Sequence, residues 1–245
     1  MQVEIPGAGG SSARGGGAQP GVDNGLSSAS ENDSRLRGDP ASGLQSLRKV
    51  VATDLRDFVW IVQSDLERHA GSCDLPTFVA RMWKEPALVC TFWLRTVAWL
   101  RSERSALGLL MPLAGLAKRH VERKYGVSTP ASAQIGPGLF VVHVGGIAVS
   151  PGCTIGRNCT ILPGVILGEV NRGARAGSPA IGDDVYIGAG AKVIGGLEVG
   201  SNVAIGANAV VTKDVPDNAV VAGVPATIIS FDGSAGLAKA QQGGV

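Results

Sequence analysis

Apolar residues recur along this chain with different rhythms, and the changes of rhythm divide it. Residues 1 to about 43 show no hydrophobic period and are rich in Gly, Ser, Ala and Pro. Such a segment cannot bury enough apolar surface to offset the entropy of ordering, which predicts a disordered tail. From Leu44 the steps are three and four: Leu47, Val50, Val51, Leu55, Phe58, Val59, Val62 and Leu66 share one face of a helix. Further helical segments are predicted at about 76–83, 87–102 and 106–124.

After Pro130 the step becomes six. Val149, Ile155, Ile161 and Leu167, then Ile181, Ile187, Val193, Val199, Ile205 and Val211, are all aliphatic, and glycine follows at 156, 168, 182, 188, 200 and 206. Four residues beyond the aliphatics the chain is apolar again and often small: Cys153, Cys159, Val165, Val185, Ala191, Leu197, Val203, Ala209 and Val215. A period of six is neither the helical 3.6 nor the strand alternation of two, and it marks a hexapeptide β-helix. Each hexad makes one face and one corner of a prism, three hexads close a coil, and coils stack roughly 4.8 Å apart with the aliphatics inward. The expected class is therefore α+β: a tail (1–43), an α-helical domain (44–130), a parallel β-helix (131–224) and a C-terminal tail (225–245).

The period fails twice. Ile135 to Val149 and Leu167 to Ile181 are each fourteen residues apart, two hexads plus two. The first break, within "FVVHVGGIAV", holds His143 and the Gly145–Gly146 pair; the second is the polar, glycine-rich loop "GEVNRGARAGSPA". An imidazole among aliphatics is ordinarily a packed core residue. A stacked repeat, however, resists irregularity unless another constraint maintains it, so His143 is a candidate for chemistry. Neutral imidazole can take a proton from a hydroxyl, and a positioned base of this kind is worth roughly 10²–10⁴ in rate.

Composition narrows the choice. With 36 glycines against 4% aromatic residues, the chain suits repeated tight corners filled by small aliphatics. The formal charge of +2, with Lys and Arg scattered, points away from nucleic acid or another polyanion. Cys73, Cys90, Cys153 and Cys159 form no CxxC pair or Cys/His cluster and the three histidines lie far apart, so no disulfide framework or metal is expected. Cys153 and Cys159 fall instead at small core positions of the repeat. The N-terminus lacks a signal-peptide pattern, and no apolar run approaches the ~20 residues that span a bilayer. With free thiols expected, this points to the cytoplasm. Arg95, Trp99, Arg101 and Arg104 in the helices read as packing and solvated-face residues.

Residues 44 to about 229 resemble the serine O-acetyltransferase family of hexapeptide acyltransferases. The resemblance rests on the helical segment, the opening stretch "IGPGLFVVHVGGIAV", the loop at the second break, "IGDDVYIGAGAKVIGGLEVG" and "VTKDVPDNAVVAGVPATII". It implies a left-handed β-helix, a homotrimer through the prism that is often a dimer of trimers through the helices, and acetyl-CoA as co-substrate with no metal. It further implies His143 as the base for direct transfer of acetyl from the thioester to a hydroxyl. Gly168, Gly188, Ala189 and Ala207 would line the pantetheine groove between subunits. Lys192, Lys213 and the loop's Arg175 would meet CoA, with the loop as a mobile flap.

On the acceptor side, Glu85 takes the acidic position of the family's Asp-Pro motif and is a candidate to orient the His143 ring. Val142 stands where the family has an aspartate, and Ser178 where it has a second histidine. L-serine is the acceptor the family implies. The missing aspartate and histidine are similar to relatives that acetylate sugar hydroxyls in polysaccharide pathways, and both acceptors stay open. The C-terminal "AKAQQGGV" lacks the isoleucine by which family members dock on cysteine synthase. Two other classes remain: a prism-type carbonic anhydrase, which needs more histidines than the one in this prism, and a non-catalytic trimeric scaffold.

Overall fold

The computed structural model describes residues 52, 54–72, 74–102 and 106–237. The expected disordered tail, the 44–51 part of the first helix, Cys73, Arg104 and the last eight residues lie outside the described residues. Helix α1 (Leu55–Ala70) begins where the Asp54 carboxylate accepts the Asp57 amide at 2.8 Å and ends at Gly71, whose φ of 72° only glycine takes at little cost. Helix α2 (Leu75–Lys84) is capped by Asp74, and one residue, Glu85, separates it from α3 (Pro86–Ser102). The helix expected from 106 starts later. Ala106–Leu110 is a 3-10 turn, and α4 (Met111–Tyr125) follows, because Pro112 has no amide proton for a preceding turn and suits only a first turn.

The prism is built coil by coil. Strand β1 (Val127–Ser128) opens the wall. The first coil carries β2 (Gln134–Ile135), β3 (Phe140–Val141) and β4 (Ile147–Val149), and the second β5 (Thr154–Ile155), β6 (Thr160–Ile161) and β7 (Ile166–Gly168). The third carries β8 (Ala180–Ile181), β9 (Tyr186–Ile187) and β10 (Lys192–Ile194), and the fourth β11 (Glu198–Val199), β12 (Ala204–Ile205) and β13 (Val210–Val211). Strands β14 (Val220–Ala222) and β15 (Thr227–Ser230) close the stack. Face one is β1-β4-β7-β10-β13, face two β2-β5-β8-β11, and face three β3-β6-β9-β12-β14-β15; every pair is parallel except β14 with β15. The strands thus run past both ends of the 131–224 hexad register.

The six-step aliphatics are all 5% exposed or less, and the second apolar set from Cys153 to Val215 is likewise buried. Each such aliphatic contributes roughly 1.5–3 kcal/mol. Both breaks show in the register. Phe140 pairs with Thr160 but Ala148 with Ile166, so eight steps across the His143 corner match six in the next coil. The sequence count had not shown a third irregularity, in the last coil: Val193 to Val199 is six residues, whereas the bridge of Val199 to Val215 leaves only four after Val211. Ala219 and Val221 fill the core there.

The helices meet the prism at its first coil, where backbone groups have no coil beneath them. The Arg95 guanidinium, 7% exposed, donates to the carbonyls of Ile135 and Gly136 (2.6 Å to the latter) and pairs with Asp65 at 2.8 Å. The Asp65 carboxylate, 1% exposed, also accepts the Leu139 amide at 2.8 Å. Arg95 is thus a buried connector rather than a general packing residue. Replacing Ile187 by Asp should leave no soluble folded protein, checked by circular dichroism and sedimentation, since the site is fully buried and offers a carboxylate no partner. Asp65→Ala strands the Arg95 charge and the Leu139 amide, and urea titration should show a loss of about 3–5 kcal/mol.

Candidate active site

His143 occupies the corner between β3 and β4, on a bend, and is exposed, which removes the core-histidine alternative. The corner turns back through Gly145 (φ 123°) and Gly146 (φ 66°), and a Cβ at Gly146 would stand 3.4 Å from the Gly164 Cα of the coil above. Val142, half-buried, is fixed by its amide bond to the Ile161 carbonyl at 3.1 Å. The Gly164 amide donates to Gly145 (2.8 Å), the Gly190 amide to Pro163 (2.8 Å) and the Asn208 amide to Ala189 (2.8 Å). These bonds stack one corner on the next, so His143, Gly188, Ala189 and Ala207 lie along a single edge of the prism. Lys192 joins that edge, its ammonium donating to the Gly190 carbonyl at 2.9 Å.

The remaining candidates lie elsewhere. Gly168 sits in β7 on face one, and the space of its absent side chain is taken by Ile194. Arg175, Ser178 and Lys213 lie at the corner between faces one and two, where a cleft of about 490 Å³ is lined by Arg175, Ser178, Leu197, Glu198 and Asp214 but not by Lys213. The Ser178 hydroxyl bonds to that of Ser150 at 3.1 Å.

For two of the candidates the structure adds partners that the sequence did not show. The loop is a closed hairpin, with Val170 and Gly177 exchanging backbone bonds of 3.0 and 2.8 Å. Arg175 is no free cation on a flap: it pairs with Asp214 at 2.6 Å, while its carbonyl accepts the Gly196 amide at 2.9 Å. The Arg175 guanidinium, with the Glu198 amide, holds the Asp214 carboxyl below the usual carboxylate range. Glu85 is engaged by its own helices. It sits at the end of α2, where Arg81 one turn earlier reaches it and His69 Nδ1 lies at 3.5 Å, and these partners hold its carboxyl low, the His69 bond foremost.

His69, Asp65 and Asp214 were not singled out by the sequence, and Arg95 was read there only as a packing or solvated-face residue. His69 Nε2 is buried without a hydrogen-bond partner, its ring edge-on to Phe140 at 4.7 Å between centroids. Of these only Asp214 had a signal, as an acid beside Lys213 in the corner that faces the loop. Cys153 and Cys159 are core residues as expected, and Cys90 is buried as well. Burial pushes Cys159 up to about 12 and Cys90 to about 11, and raises Cys153, far from thiolate chemistry. Among the described residues there is no cluster of His, Cys, Asp and Glu that could hold a metal ion.

Comparison with known proteins places this geometry. The model for the bacterial transferase hexapeptide (six repeats) matches residues 178–213, and that for the hexapeptide repeat of succinyl-transferase matches 151–169. Serine acetyltransferase of Staphylococcus aureus is 44% identical over 108 residues, 44% of this chain and 51% of that protein. The solved structure of Neisseria gonorrhoeae serine acetyltransferase in complex with serine superposes with a TM-score of 0.60 at 28% identity, over 72% of this chain and 70% of that one. A serine acetyltransferase in complex with CoA gives 0.59 at 28% identity, over 71% of each.

The chain carries hexapeptide repeats and is similar to serine acetyltransferases over that region. It spans about half the length of the S. aureus serine acetyltransferase that it matches. The hairpin is the most heavily altered part of the wall, and its clamp is testable. Asp214, with its folded pKa depressed, stabilises the clamp fully above the ordinary carboxylate pKa, roughly 3.9, and the contribution is lost as pH falls through the lower folded value. Asp214→Asn at neutral pH should mimic that loss. Trypsin should then cut faster at Arg172 or Arg175 while the global melting temperature changes little.

Proposed function

We propose that this chain is an acetyl-CoA-dependent O-acetyltransferase of the serine acetyltransferase type, with L-serine as the acceptor named by its relatives. The observation that carries the reading is the exposed His143 on an edge widened by two residues and continued by the small residues Gly188, Ala189 and Ala207. An imidazole on an open backbone-lined edge can reach a hydroxyl, and the glycine and alanine corners leave room for a narrow chain such as pantetheine.

The reaction follows from general acid–base chemistry. Neutral His143 accepts the acceptor's hydroxyl proton as that oxygen attacks the thioester carbonyl carbon. The tetrahedral intermediate collapses with cleavage of the C–S bond, and the imidazolium returns the proton to the departing sulfur. No acyl-enzyme is needed, and the buried thiols offer none. The candidates divide between two edges of one prism, His143 on one and Arg175, Ser178 and Lys213 on the other. A trimer of left-handed prisms, as the family resemblance implies, would bring unlike edges together, so the homotrimer and the cytoplasmic setting belong to this reading. Gly168, Lys192 and Lys213 remain candidates for CoA, and Glu85 for the acceptor.

A second acceptor class has its own support. Val142 supplies no carboxylate for an amino acid's ammonium group, and the Ser178 hydroxyl is engaged by Ser150. A sugar hydroxyl needs neither partner. An acetyl-CoA consumption assay against L-serine, sugars and nucleotide sugars separates the two, and turnover of none would leave the scaffold reading. With the productive acceptor, His143→Ala should lower kcat by roughly 10²–10⁴ while the fold and the CoA dissociation constant stay unchanged. Near-normal kcat in a folded variant would remove His143 as the base.

A further inference from the structure

From the 3-10 turn through α4 the surface is divided along the helix axis. Leu109, Leu110, Leu113 and Leu116 are 82%, 52%, 67% and 63% exposed, a contiguous run of large apolar side chains with nothing packed over them in this chain. One turn further along the same face stand Arg119 and Arg123, with Lys124 beside them, all exposed. Among the described residues no ion pair engages these three cations. Residues 106–125 contain one acid, Glu122, and it is turned inward, accepting from the Lys118 ammonium at 2.6 Å and the Thr129 amide at 2.8 Å. The outward face is therefore leucine at one end and uncompensated positive charge at the other.

We propose that this face docks on an anionic lipid surface, the leucines entering the acyl boundary and the arginines lying among phosphate headgroups. A scattered net charge of +2 gives no hint of it, because the charge that matters is segregated on one helix. Interfacial helices combine buried apolar area with attraction to anionic lipid, and this face supplies both. Two such faces set against each other fit poorly. Set antiparallel, they would lay arginines on leucines; set parallel, arginines on arginines, and in either case cations lose water without gaining an acid. The face also adjoins the candidate site. Gly126 ends α4, its carbonyl accepts the Ile147 amide at 3.2 Å, and a Cβ there would stand 3.4 Å from the Gly146 amide nitrogen. The basic end of the helix thus leads into the turn beside His143, so docking would hold that corner close to the bilayer.

The test is co-sedimentation of the full chain with phosphatidylcholine vesicles, with and without phosphatidylglycerol. Binding should require phosphatidylglycerol, weaken with salt, and fall at least about tenfold in both Leu113→Ser/Leu116→Ser and Arg119→Gln/Arg123→Gln. Equal binding to both vesicle types, no binding, or binding untouched by the variants would overturn the proposal. So would a solution mass above that of Leu113→Ser/Leu116→Ser, which would assign the face to another copy. If the serine pair fails to fold, the glutamine pair decides, since those side chains are exposed and outside the core. The readout is binding alone, so it stands or falls independently of acetyl transfer.

Discussion

Each coil of the prism satisfies its backbone through the coil next to it, so the two ends of the stack decide whether the fold can exist as a discrete object. At one end β1 covers face one, and the buried Asp65–Arg95 pair serves the carbonyls of Ile135 and Gly136 and the amide of Leu139. At the other, the antiparallel β15 closes face three against β14. An open edge of parallel strands invites another chain to add to it, and these caps remove the invitation. The helical segment therefore terminates the repeat, and the position of α1 and α3 follows from the groups they must satisfy.

Much of the prism was legible because its rule is simple. One aliphatic every six residues, often followed by a glycine and four residues on by a second apolar side chain, can be counted without knowing the partner coil, and every apolar residue so counted is buried. The shortened last coil was not legible. Counting six beyond Val211 reaches Asp217, an exposed acid whose carboxylate accepts the Ser201 amide at 2.7 Å, and the pairings of Val199 with Val215 and of Ala204 with Val220 show where the register went. Helix starts failed for a related reason: apolar spacing continues through 106–110, but Pro112 holds the regular helix back to Met111.

The candidate site divides in the same way. His143 stood out as a polar group at a break in a periodic wall, and the structure sets it at an exposed corner. Beyond the neighbouring Arg81, what Glu85 touches could not be read, nor what Arg175 touches, because the partners lie 16 and 39 residues away, at His69 and Asp214. Nor could Asp65 and Arg95 be told from other helical charges, since nothing local distinguishes an arginine that wraps a helix from one that crosses to a sheet.

The His143 corner carries two extra residues, and that number has a consequence for how such a wall can change. Side chains along extended backbone alternate between core and solvent with a period of two. An insertion of two leaves the buried Ile147 and Val149 in phase with the buried Val165 and Leu167, and the half-buried Ala148 with Ile166, whereas one residue would aim Ala148 inward and its aliphatic neighbours outward unless the turn rotated to compensate. The three irregularities here, two extra residues, eight extra, and two fewer, are all even. Parity rather than length is thus what the wall tolerates, and a corner of this kind gains or loses reach in pairs.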